Sequence, residues 1–225
     1  MVGIGPGSSD QCTIAAKRAI EKSDIIVGYR TYIRLLEQYT IGKTIDVSGM
    51  RDERDRVNRA IDYSNRGNTV TLISSGNPGV YGMAGLVFEL CKNRKIVCNI
   101  MIVPGVTAAN SAAALLGAPL SCDYCVVSLS DILVPKERIL KRIKGAASAD
   151  LVTVLYNPVS KKRKQIILDV QKIFMEHKKP DTPVGIVRNI AREGEEVVIA
   201  SLDTFTKQKL DMVTTIIIGN SQTIT

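Results

Sequence analysis

Gly3-Ile4-Gly5-Pro6-Gly7 and Ser74-Ser75-Gly76-Asn77-Pro78-Gly79-Val80-Tyr81-Gly82-Met83-Ala84 decide how this chain folds. Each stretch follows an apolar, β-branched run and precedes a helical pattern, so each reads as a glycine-rich turn at the end of a buried strand. Such turns let a ligand approach bare backbone, and in open α/β sheets ligands bind in the crevice at the strand ends. The first turn departs from the dinucleotide fingerprint. A G-x-G-x-x-G beginning at Gly3 needs glycine where Ser8 stands, and Pro6 lacks the N–H a phosphate cradle would use. The expectation is a small-ligand site without a phosphate cradle.

Outward from these turns, strand-like runs fall at residues 1–4, 24–28, 69–74 and 99–103. Helical patterns lie between them, at 13–22, 52–65, 82–91 and 107–116, with Thr13 placed to cap the first. Alternating β and α with short Gly/Pro turns predicts a mostly parallel sheet with crossover helices. After Gly117-Ala118-Pro119 the texture changes. Strands at 124–129 and 151–156 are separated by a helix opening at Pro135, and a further helix runs to about His177. Runs at 183–188, 196–201 and 212–219 have little helix between them, which predicts antiparallel pairing. The expected architecture is α/β with two α/β domains, 1–118 with a mostly parallel sheet and 119–225 with a mixed sheet, and a ligand cleft between them.

Composition narrows the chemistry. A single histidine among 225 residues argues against Ser-His-Asp triads, Cys-His pairs and His-based zinc sites, and no protein-bound metal is expected. The five cysteines are scattered; Cys122 and Cys125 form a C-x-x-C without a matching second pair and read as structural residues. No run is long and apolar enough for a membrane span, and the opening residues lack a signal-peptide pattern, so a reducing, cytoplasmic setting is expected. The net charge of +8 suits an anionic partner. Scarce aromatics and the absence of a nucleic-acid motif weigh against nucleic acid. Gly42-Lys43-Thr44 imitates the end of a Walker A loop, but Glu37 stands where glycine is required, so the tripeptide reads as a turn with an exposed lysine.

Val2-Gly3-Ile4-Gly5-Pro6-Gly7, Ser75-Gly76-Asn77-Pro78-Gly79, Val103-Pro104-Gly105-Val106-Thr107-Ala108-Ala109-Asn110 and Thr214-Thr215-Ile216-Ile217-Ile218-Gly219-Asn220-Ser221 together resemble the tetrapyrrole methylases. Val127-Ser128-Leu129-Ser130-Asp131, Leu155-Tyr156-Asn157-Pro158 and Thr182-Pro183-Val184-Gly185-Ile186-Val187-Arg188-Asn189 are similar to the branch that methylates carbon 17 of a precorrin. The resemblance covers essentially the whole chain. It implies a homodimeric enzyme of cobalamin biosynthesis with S-adenosylmethionine as methyl donor. The substrate would be precorrin-3B or cobalt-factor III, contracted as it is methylated. Another precorrin methylase, a same-fold RNA ribose methyltransferase and a non-catalytic cofactor-binding module remain alternatives.

By position, the resemblance implies cofactor contacts from Pro6, Ser75, Gly76, Asn77, Val80, Thr107, Ala108, Asn157, Asn189, Ile190 and Thr215. Asn77 stands where many relatives carry aspartate, which removes a charge-assisted hydrogen bond. The carboxylate-rich tetrapyrrole suits arginine forks, for which Arg30, Arg51, Arg56 and Arg188 are candidates. Arg30 occupies the place of an aspartate taken as the base in related uroporphyrinogen methylases, so that role does not carry over. Asp131 is the candidate for proton handling. Lys161, Lys162, Arg163 and Lys164 read as a solvated helix start.

Overall fold

Ile25, Ile26 and Val27 are all buried, as a strand covered on both faces requires. They belong to the first of two units, Met1–Thr107 and Ala108–Thr225, in a computed structural model that describes residues 1–49, 52–160 and 165–225. The first unit runs β1 (Val2–Gly3), α1 (Ile14–Glu21), β2 (Ile25–Tyr29), α2 (Arg30–Arg34), β3 (Thr44–Ser48), α3 (Glu53–Asn65), β4 (Val70–Ser74) and α4 (Ala84–Asn93). Its sheet has the order β1-β4-β2-β3, and every pair is parallel. Strand alternation divides the core in two. Ile26 and Ile73 pack with Ala16 and Ile20 of α1, whereas Ile25, Val27 and Leu72 pack with Val57 and Ile61 of α3 and Val87 of α4.

Thr13 caps α1 as expected, its hydroxyl accepting from the Ala16 N–H at 3.1 Å. Two local expectations change. Residues 99–103 form no strand but a single bridge, Val2 to Val103, because β1 is only two residues long before Gly5 (φ +78°) turns the chain. Conversely, β3 pairs with β2 over five registers although no strand was expected there. It is an edge strand of largely exposed and half-buried residues, so its apolar signal is weak. Lys43, just before it, is not the exposed turn lysine of the sequence reading. Its ammonium donates to the carbonyls of Glu21 at 2.7 Å and Ser23 at 2.8 Å, where a cation complements the end of α1.

The second unit comprises α5 (Ala108–Leu115), β5 (Tyr124–Ser128), α6 (Lys136–Ser148), β6 (Val152–Tyr156), α7 (Gln165–Met175), β7 (Pro183–Arg188), β8 (Glu196–Ser201) and β9 (Thr214–Ile218). The sheet order is β5-β6-β9-β7-β8; β5 and β6 are parallel, and β9 is antiparallel to both neighbours. The carboxyl ends of β5, β6 and β7 therefore share one edge with the amino end of β9. Leu155, Ile186 and Ile216 face α6 and α7, while Val154, Val187 and Ile217 face Ala109 and Ala112 of α5. The sequence texture put α5 in domain 1–118; its small side chains pack on the second sheet, and Leu116 lies over the bare backbone of Gly185. Pro135 precedes α6 as its N-cap rather than opening it. No helix among the described residues is long and apolar enough to cross a membrane.

Buried charge in this unit is paired. The Lys178 ammonium, 2% exposed, donates to Asp150 Oδ1 at 2.7 Å, and the other Asp150 oxygen accepts from the Ser221 hydroxyl at 2.6 Å. Burial pushes the Asp150 carboxyl up, but Lys178 and Ser221 outweigh it and hold the group below its ordinary value. A depressed carboxylate contributes stability at neutral pH that is lost as pH falls through the folded-state pKa. Lys178→Met should therefore cost about 1–3 kcal/mol in urea unfolding at pH 7. It should also flatten the loss of stability on acidification below about pH 4.

Candidate cofactor and substrate site

At the carboxyl end of the first sheet three turns meet through backbone. The Gly5 N–H donates to Gly76 O at 3.3 Å, the Gly76 N–H returns to Gly5 O at 2.8 Å, and the Gly3 N–H reaches Val103 O at 3.0 Å. A Cβ on Gly3 would lie 2.7 Å from Pro78 Cδ and 2.8 Å from Gly105 N, and one on Gly105 would strike Gly76 O and the Gly3 backbone. Gly76 is different. Its φ is +60°, and the nearest atoms to an added Cβ are Val106 O at 3.9 Å and Thr107 Cα at 4.0 Å. Gly3 and Gly105 are thus required by packing, while Gly76 leaves an open space beside its backbone, as a ligand cradle needs.

The rest of this turn is held from within. The Asn77 side-chain oxygen accepts from the Gly79 N–H at 2.9 Å, and the Val80 N–H donates to Asn77 O at 3.1 Å. That bond uses an oxygen which asparagine and aspartate share, so Asn77 serves the turn without a charge. Pro6 is buried, Ser75 and Thr107 are half-buried, and Val80 is exposed. The first unit brings Gly76 beside Thr107 and, through the Gly5–Gly76 bridge, next to Pro6.

In the second unit the expected residues gather along the edge shared by the ends of β5, β6 and β7 and the start of β9. Asn157 follows β6 at φ +54°, and its amide donates to Ser128 Oγ at 3.0 Å. Asn189 follows β7 at φ +50° and donates to Gly194 O at 3.1 Å. Ala191, in the same loop, has φ +56°, and its N–H donates to the Glu195 carboxylate at 2.6 Å. Three non-glycine residues in the left-handed region within one edge mark a backbone shaped by its surroundings. Ile190 and Thr215 are buried on the face that packs against α5, Thr215 being paired with Val187. Sequence reading gave no role to Tyr156 and Ser128. The Tyr156 hydroxyl accepts from the Ala109 N–H at 2.8 Å, which ties the α5 start near Ala108 to this edge. A tyrosine followed by Asn-Pro at a strand end was the available signal.

The arginines separate by environment. Arg188 is buried, its Nη1 on Glu196 at 2.6 Å and its Nη2 on Asp211 at 2.8 Å. Its fork is taken by two carboxylates, so it clamps the β7–β8 pair and the turn before β9 rather than awaiting a ligand. Arg30 is exposed at the start of α2, and Asp131 is exposed in the loop after β5. Arg51 and the run Lys161, Lys162, Arg163 and Lys164 lie outside the described residues. Arg56 is buried, and its partners among the described residues, Ser48, Gly49 and Met83, are neutral. The C-x-x-C thiols have separate partners, Cys122 facing Gln222 and Cys125 facing Thr153. Cavities at the opposite strand ends, about 500 Å³ beside Met1, Thr69 and Met101 and about 280 Å³ beside Val152, Pro183 and Gly219, hold none of the expected site residues.

Residues 1–206 match the family of Tetrapyrrole (Corrin/Porphyrin) Methylases. The chain belongs to the tetrapyrrole methylases. Among these methylases it is 43% identical over 227 residues to the cobalt-factor III methyltransferase of Priestia megaterium, covering 99% of this chain but only 42% of that protein. It is 41% identical over 223 residues to the probable cobalt-factor III C(17)-methyltransferase of Salmonella typhimurium, covering 99% of this chain and 92% of that protein. The crystal structure of the methyltransferase CobJ superposes with a TM-score of 0.92 at 33% identity, covering 100% of this chain and 94% of that one.

The two classes of glycine predict different stabilities. Gly105→Ala forces a methyl into the Gly76 and Gly3 backbones and should cost about 3 kcal/mol or more, beyond ordinary overpacking. Gly76→Ala pays only for its left-handed φ, about 1–2 kcal/mol. Urea denaturation of both variants checks this order.

Proposed function

We propose that this chain transfers a methyl group from S-adenosylmethionine to carbon 17 of cobalt-factor III, with contraction of the macrocycle, in cobalamin biosynthesis. The observation that carries the reading is the identity to a probable C(17)-methyltransferase along 92% of that protein's length, together with the open cradle at Gly76. The cofactor supplies an electrophilic sulfonium methyl: the ring carbon's electron pair forms the new C–C bond, and the S–CH3 pair leaves with sulfur as S-adenosylhomocysteine.

The protein's share is binding, alignment and proton handling. We assign Pro6, Ser75, Gly76, Asn77, Val80 and Thr107 of the first unit, and Ala108, Asn157, Asn189, Ile190 and Thr215 of the second, to the cofactor. The bond to Ser128 uses one of the two Asn157 amide hydrogens and fixes the side chain, whose carbonyl oxygen can accept from a hydroxyl or amino donor. Arg30, exposed just past β2, is assigned to a carboxylate arm of the substrate. Asp131 is assigned to proton handling. A homodimer acting in the cytoplasm is the proposed setting.

Incubation with methyl-labelled S-adenosylmethionine and cobalt-factor III should transfer label with the spectral change of ring contraction. Cofactor binding without transfer to either cobalt-factor III or precorrin-3B would overturn the reading. Gly76→Val should fold yet bind S-adenosylhomocysteine at least about tenfold more weakly by calorimetry.

A further inference from the structure

Arg56 is the exception among the buried cations. Lys178 and Arg188 each face carboxylates, as buried charges normally must. Arg56, 3% exposed, forms no ion pair among the described residues. Its Nε donates to Ser48 Oγ at 2.5 Å and its Nη2 to Gly49 O at 2.7 Å. The guanidinium sits 5.9 Å from the Tyr29 ring centre. Among the described residues its Nη1 meets the Met83 thioether, at 3.5 Å, a weak acceptor for a charged donor. The fork is therefore aimed and pinned by two oxygens and a ring, while its outer nitrogen rests on a side chain that can swing aside.

Its position is equally specific. Tyr29 and Ser48 end β2 and β3, so Arg56 lies at the carboxyl edge of the first sheet, the edge that carries the Gly76 turn. Met83 is the N-cap of the ten-residue helix α4, and its side chain cannot cap. Gly85, in the first turn of that helix, is exposed and has nothing within 4 Å of where a Cβ would stand. An arginine buried without a counter-charge among the described residues, and a helix start whose first N–H rests on Pro78 O but which no side chain caps, favour the same kind of ligand, an anion.

We propose that Arg56, with the start of α4, forms a carboxylate subsite for one acidic arm of the macrocycle. The arm displaces the Met83 sulfur from Nη1 and supplies the missing counter-charge. The inference rests on the tetrapyrrole reading of the site and adds a specificity role to it. Because Met83 adjoins the 76–82 turn, seating the arm also presses on the segment assigned to the cofactor.

The test compares cobalt-factor III with its peralkyl ester, by fluorescence or calorimetric titration in the presence of S-adenosylhomocysteine. Wild-type protein should prefer the free acid. Arg56→Gln should weaken the acid by about tenfold or more, leave the ester nearly unchanged, and keep the affinity for S-adenosylhomocysteine. A variant that weakens acid and ester equally would make Arg56 a structural clip and overturn the subsite while leaving the functional reading intact. Wild-type protein that binds neither form would overturn both. Should Arg56→Gln fail to fold, Arg56→Lys is read the same way: a compact ammonium lacks the planar fork that bonds Ser48 and Gly49 through Nε and Nη2 while presenting Nη1 to a carboxylate, so the preference should fall by about threefold or more. An unchanged preference would contradict the proposal.

Discussion

The first unit depends on three backbones touching without side chains between them. Gly3, Gly76 and Gly105 come from different turns, and a methyl on Gly3 or Gly105 would enter the backbone of its neighbours. Their contact is possible because β1 stops after two residues and Gly5 bridges to Gly76. The contact fixes where the 76–82 turn begins, and the turn then sustains itself through the Asn77 side chain and the Val80 N–H. What remains is one glycine, Gly76, whose empty side faces open space. Close packing and open backbone are thus divided among glycines that look alike in the sequence.

The second unit reaches a comparable result mainly with residues other than glycine. Asn157, Asn189 and Ala191 hold left-handed backbone at the sheet edge, and side chains stabilise each of these turns. Asparagine tolerates this region because its short amide bonds locally, whereas Ala191 relies on the Glu195 carboxylate held against its N–H. Inserting β9 antiparallel between β6 and β7 brings these ends to one edge, and the Tyr156 hydroxyl ties the start of α5 to them. Of the charged clusters, Arg188 locks the β7–β8 pair at this same edge, while Lys178 joins the β6 approach to the tail at Ser221 at the opposite one.

Much of this was legible in the residues. The buried strands announced themselves by continuous β-branched runs, and β7 and β8 fall at the expected bounds. The edge strand β3 escaped because a strand with half its residues wet has no continuous apolar run. The single bridge at Val103 was over-read because Ile100, Met101, Ile102 and Val103 look strand-like while β1 offers only two residues to pair with. Arginine roles were the least legible. Arg56 and Arg188 are equally plausible as substrate forks in the sequence, and only their partners, neutral groups in one case and two carboxylates in the other, tell them apart. Lys43 is similar, since the carbonyls it caps are distant in sequence.

On the proposed function, both sheets present ligand-holding turns at one defined edge each. Hydrogen–deuterium exchange with and without S-adenosylhomocysteine tests it directly. Slowed exchange is expected at residues 75–77, 79–80, 107–109, 157 and 189–191, with no change at the opposite strand ends. Protection confined to residues 68–70 and 98–101, or to 219–223, would place the ligand in a cavity at the wrong end of a sheet and contradict the account.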